Sequence, residues 1–65
     1  MKILLGEYMY KHNLSTRQIE ILTGVPKSTI NDIVNNRVSP RLDTMEQIAI
    51  GLKTRISCLY ESEYK

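Results

Sequence analysis

The stretch Ser15-Thr-Arg-Gln-Ile-Glu-Ile-Leu-Thr-Gly-Val-Pro-Lys-Ser-Thr-Ile-Asn-Asp-Ile-Val-Asn-Asn36 decides the fold. Ile19, Leu22, Val25, Ile30 and Ile33 recur in it at the core spacing of two short amphipathic helices separated by a turn. Ser15 and Gln18 stand in a capping-box arrangement, where each side chain satisfies a backbone donor left free at a helix start. Gly24 follows the last periodic residue and suits the left-handed conformation that ends a helix. Val25 then reaches into the core, and Pro26 pre-sets the first turn of the next helix. The pattern predicts helices over about Thr16 to Thr23 and Lys27 to Asn35, joined by a short, stiff turn.

In the second of these helices Ile30, Ile33 and Val34 share one face, which gathers Lys27, Ser28, Asn31, Asp32 and Asn35 on the other. Lys, Ser and Asn reach the donors and acceptors of base edges in a major groove, Lys suiting guanine and Asn adenine. Asp32 fits if it accepts from a cytosine amine. Any solvated helix face is polar, so the stripe alone signifies little. Its coincidence with the spacing, the turn and the two caps points to a groove-reading helix. An acid facing phosphates weakens binding, so Asp32 is expected either to read a base or to hold Lys27 or Arg37 in place.

Sixty-five residues make one domain, near the lower size at which a core holds without disulfide, metal or partner subunit. The single cysteine, Cys58, excludes an intrachain disulfide, and no Cys/His cluster has zinc-ligand spacing. A reducing, cytoplasmic setting is expected. No apolar run approaches the ~20 residues of a membrane span, and the opening Met1-Lys-Ile-Leu-Leu-Gly is too short for a signal peptide. The net charge is only +2, but its distribution is uneven. Residues 11–41 hold Lys11, Arg17, Lys27, Arg37 and Arg41 against Glu20 and Asp32. Residues 42–65 hold Lys53, Arg55 and Lys65 against Asp43, Glu46, Glu61 and Glu63. The positive half coincides with the helix pair, as a polyanion partner requires.

Turn signals divide the chain into five short helices, with no repeat, linker or strand expected. Helix 1 should run from about Lys2 to His12, with Leu4, Leu5, Tyr8 and Met9 inward, Asn13 as its left-handed end and Leu14 plugging the core. Asn36 is expected in the left-handed position closing helix 3, and Arg37 to Leu42 in a loop. Asp43 and Glu46 read as a second capping box. Met45, Ile48, Ala49 and Leu52 follow at the packing spacing of helix 4. A brief helix 5, around Arg55 to Tyr60, offers Ile56 and Leu59 to close the core, leaving Tyr60 and Tyr64 partly exposed.

From about Leu4 to Glu63 the chain resembles the Cro/lambda-repressor-like helix-turn-helix family of phage and bacterial regulators. The matching stretches are Leu14-Ser15, Leu22-Thr-Gly-Val25, Lys27-Ser-Thr-Ile30, Ser39-Pro40, Leu42-Asp-Thr-Met45, Ile48-Ala49 and Leu59-Tyr-Glu-Ser62. The resemblance implies an all-α, compact five-helix bundle whose third helix enters the major groove while the start of the second touches the DNA backbone. Carried over residue by residue, it places Lys27, Ser28, Asn31 and Asp32 against bases. It places Thr16, Asn35, Arg37 and Arg41 against phosphates, with Arg17 and Thr29 flanking that surface. Helix-start amides and the helix dipole agree with a phosphate seat at helix 2.

Four positions depart from the family pattern. Members often pair an Arg on helix 1 with a Glu near the end of helix 3, where this chain has Met9 and Val34. Replacing both ends of a buried ion pair with apolar groups gives a consistent core, whereas losing one end strands a charge. Glu20 stands where a small residue usually lets helices 2 and 3 approach closely, which bears on their crossing. Asn36 replaces the usual Gly after helix 3, a change the left-handed conformation tolerates.

The lone His12 has no organised partners for catalysis, and Cys58 reads as a small packing residue rather than a sensor. Tyr8, Tyr10, Tyr60 and Tyr64 lie away from the basic stretch and suit core or dimer packing rather than base stacking. No nucleophile, base and oxyanion set can be assembled, so no enzyme is expected, and no cofactor, metal or small-molecule ligand either. The expected function is a sequence-specific transcriptional regulator, a repressor binding a palindromic double-stranded DNA operator as a homodimer. The alternative is an adaptor or antirepressor that turns the same fold against another regulator.

Overall fold

In the structure, a computed structural model that describes residues 1–64, helix α1 spans Leu5–Lys11, α2 Thr16–Thr23, α3 Lys27–Val34 and α4 Leu42–Leu52. The expected capping box opens α2: Ser15 Oγ accepts from the Gln18 amide at 3.1 Å and Gln18 Oε1 from the Ser15 amide at 2.7 Å. Gly24 closes the helix at φ 76°, and Asn13 and Asn36 take the left-handed φ values of 55° and 58° expected of them.

Five helices were expected, and among the described residues there are four α-helices. In place of helix 5 there is one 3-10 turn, Ile56–Cys58, followed by a short strand, Tyr60–Glu61. That strand (β2) pairs antiparallel with Lys2–Ile3 (β1), Lys2 opposite Glu61 and Ile3 opposite Tyr60, so the expectation of no strands is also corrected. Helix 1 was expected from Lys2 but begins at Leu5, because the chain end finds better partners across the fold. The Leu4 amide donates to the Leu59 carbonyl at 2.8 Å, giving a partner to a group that a helix begun at Lys2 would have left among its unpaired first amides. Leu59, fully buried, anchors this pairing, and Ile56 packs beside it as anticipated.

The core comprises Leu5, Met9, Ile19, Val25, Ile30, Ile33, Met45, Ile48, Ala49 and Leu59, with Leu14, Val34 and Leu52 packed against it. Leu22, expected inside, is instead half exposed, and Thr23 is buried in its stead. Gly51 explains the exchange. A Cβ placed on Gly51 would lie 2.5 Å from the Leu22 carbonyl oxygen and 2.7 Å from both Cα and Cγ2 of Thr23, so α2 and α4 touch backbone to backbone. A small side chain fits that contact and a leucine does not. The Thr23 hydroxyl donates to the Ile19 carbonyl at 2.6 Å and accepts from the Val25 amide at 3.2 Å, so its burial leaves no polar group unpaired.

Helix 4 also starts differently. Arg41 is its N-cap without a side-chain cap, and Asp43 lies inside the first turn, accepting from the Thr44 amide at 2.9 Å, so Asp43 and Glu46 form no capping box. At that position the carboxylate still faces the positive end of the helix dipole. The Lys53 residue closing this helix is left-handed at φ 55°.

Two changes probe this packing. Gly51→Ala is expected to destabilise the fold by about 1–3 kcal/mol in urea or thermal denaturation, because the added methyl meets backbone atoms that cannot move aside. Val34, the last residue of α3, faces α1, its Cγ1 3.3 Å from a Cβ built on Gly6, so Val34→Glu drives a carboxylate into the α1–α3 contact. A loss of about 1–3 kcal/mol is expected, partly restored by adding Met9→Arg. A double-mutant melting cycle without coupling would show that the two sites do not communicate.

Candidate nucleic-acid interface

Helix α3 starts at Pro26, whose ring removes one amide that would otherwise need a partner and whose side chain can offer no cap. The cap comes from α2: Glu20 Oε2 accepts from the Lys27 amide at 2.8 Å. Glu20, which the sequence suggested only as a bulky residue at a close crossing, is therefore a tie between the two motif helices. The two available signals were a proline without capping ability at the helix start and a carboxylate in the last turn of the preceding helix.

The outward side of α3 carries Lys27 and Ser28 exposed, with Asn31, Asp32 and Thr29 half-buried and Asn35 exposed at its end. Several of these side chains are held in place. The Thr16 hydroxyl, in the first turn of α2, donates to Asn31 Oδ1 at 3.3 Å, bringing together a residue expected at phosphates and one expected at bases. Asn35 Nδ2 donates to the Asn31 carbonyl at 2.9 Å. Arg37 turns back over the end of α3, its amide donating to the Asp32 carbonyl at 2.8 Å and its Nη1 to Asp32 Oδ1 at 3.1 Å. Of the roles foreseen for Asp32, the contact made is the one that holds Arg37; no ion pair joins Asp32 to Lys27.

Arg41 stands apart from this cluster, its guanidinium paired with Asp43 on α4 at 3.3 Å. Among the described residues, Arg17 and Lys27 enter no ion pair. The surface around α3 therefore combines two uncompensated cations, one cation pinned by a carboxylate and a row of hydrogen-bonding side chains. That set suits groups which bind a polyanion and hydrogen-bond to base edges. Among the described residues no His/Cys/Asp/Glu cluster is arranged to hold a metal, and no helix is long and apolar enough to cross a membrane.

A family model described as helix-turn-helix matches residues 7–57, from the first turn of α1 to the 3-10 turn after α4. No curated protein and no solved structure matches the chain significantly. The match spans the capped α2, the glycine turn, α3 and the supporting α4, and on it the chain belongs to the XRE-type, Cro/lambda-repressor-like helix-turn-helix family of DNA-binding regulators.

Proposed function

We propose that this protein is a cytoplasmic, sequence-specific repressor, one module spanning residues 1–65, that binds a palindromic operator as a homodimer. The observation that carries this is the polar row on α3, tied to the start of α2 through Thr16 and Asn31 and flanked by the unpaired charges of Arg17 and Lys27. In this docking α3 lies in the major groove, with Lys27, Ser28, Asn31 and Asp32 toward base edges. Thr16, Arg17, Thr29, Asn35, Arg37 and Arg41 lie along the phosphates, the amides at the start of α2 adding their dipole.

The Asp32–Arg37 contact favours an orienting part for Asp32. It fixes the guanidinium at the edge of the groove and leaves its other N–H groups for a phosphate. Size supports two copies. The body measures 31 × 24 × 22 Å along its principal axes. Two such bodies fit side by side on one face of the duplex with reading helices ~34 Å apart, one helical turn. A single module of this size buries too little DNA to choose one site in a genome, and a symmetric pair doubles the readout.

Selection of bound duplexes from a random library, followed by sequencing, tests the proposal. A two-fold symmetric motif is expected. Absence of any enrichment would overturn DNA reading and leave the adaptor or antirepressor role to account for the fold. On the selected duplex, Asn31→Ala should relax the preference at one base position per half-site. Arg37→Ala should weaken binding to every sequence and flatten the slope of log affinity against log salt by about one unit per protomer. Exchange of those two phenotypes would refute the docking.

A further inference from the structure

We propose that Glu20 is a positioning residue for base reading, its carboxylate fixing the start of α3 to α2 so that Lys27, Ser28 and Asn31 meet the bases at a single register. This rests on the DNA-reading role proposed above. A reading helix that enters the major groove by its N-terminal end meets bases with its first turns, so freedom at that end is lost directly from readout. Here that end has no cap of its own, because Pro26 carries no acceptor side chain. The hydrogen bond from the Lys27 amide to Glu20 Oε2, at 2.8 Å, is the cap, and it spans two helices rather than one. A second link, Thr16 to Asn31 at 3.3 Å, joins the same two helices a turn further along. Two ties at different heights resist rotation of α3 about its axis in a way that one tie does not.

The carboxylate has a further consequence. It lies at the positive end of the α3 dipole, where a phosphate would otherwise be drawn, and so keeps the backbone of the duplex away from that point. Glu20 thus favours side-chain contact with bases at the start of α3 and disfavours a sequence-blind phosphate contact there. Its negative charge lowers affinity for any duplex, while its hydrogen bond raises discrimination between duplexes.

The test compares wild type with Glu20→Ala, Glu20→Gln and the double variant Glu20→Ala/Pro26→Ser. Each is titrated against the selected duplex and a scrambled duplex of equal length, with the fold monitored by circular dichroism and thermal melting. For Glu20→Ala the ratio of selected to scrambled affinity should fall about tenfold, with scrambled affinity unchanged or raised. Exchange of the Lys27 amide should quicken in the free protein. Glu20→Gln keeps an acceptor oxygen without the charge, so both affinities should rise together with the ratio within about threefold of wild type. Pro26→Ser places a capping hydroxyl at the helix start and should return most of the ratio lost in Glu20→Ala.

An unchanged ratio in folded Glu20→Ala overturns the proposal. If that variant does not fold, the double variant decides: recovery of fold and discrimination supports the proposal, and failure of either overturns it. Wild type that does not distinguish the two duplexes refutes DNA reading itself, a result separate from any failure of Glu20.

Discussion

The contact between Gly51 and the end of α2 governs the arrangement of this small protein. With no side chain on Gly51, the Leu22 carbonyl and the Thr23 backbone lie against α4 at distances that no Cβ would permit. The close approach lets Gln47 of α4 donate to the Thr23 carbonyl at 2.9 Å, which satisfies one of the acceptors left over at the end of α2. It also selects Thr23 over Leu22 for the interior. Once α2 is seated on α4, its last turn delivers Gly24 and Val25 to the turn, and the direction of α3 follows.

The surface built on this frame depends on small, local ties more than on total charge. A net charge of +2 is modest for a DNA-binding domain. Arg37 and Arg41 are each engaged by an acid, on Asp32 and Asp43, so their contribution to long-range attraction is reduced, while Arg17 and Lys27 remain uncompensated. Exposed pairs of this kind contribute little to stability, and their value lies in where they hold a side chain. Around α3 the effect is consistent: Glu20 holds its start, Thr16 holds Asn31, and Asp32 holds Arg37. A domain with few residues to spare for affinity gains more from a fixed geometry, since every rotamer frozen before binding need not be frozen during it.

The ends of the chain follow different rules from the middle. Residues 2–3 and 60–61 form a ladder too short to be stable alone, and it persists because Ile3 and Tyr60 rest on the core while Leu59 is buried beneath them. Met9 and Val34 show the same economy in the interior. Where related proteins often carry an ion pair, this chain has two apolar residues in or against the core, and no charge has to be desolvated.

The chain alone determined the elements whose signals are local. The Ser15/Gln18 box and the left-handed Asn13, Gly24 and Asn36 act within a few residues and stand where the sequence places them, and helical spacing located α2, α3 and α4, though not the first turn of α4 or the burial of Leu22. Lys27, Ser28, Asn31, Asp32 and Asn35 share the outward side of α3 for the same reason, since helical periodicity assigns them together. Tertiary structure decided what depends on distant partners. The local pattern put Lys2 and Ile3 in helix 1, and pairing with Tyr60–Glu61 made them strand. Helical spacing alone put Leu22 inside, and the close approach of Gly51 admitted the smaller Thr23 in its stead. Glu20 became a cap only because α2 and α3 meet at the angle that brings its carboxylate to the Lys27 amide. A hydrogen bond between two helices is set by their packing, and no periodicity along the chain encodes it.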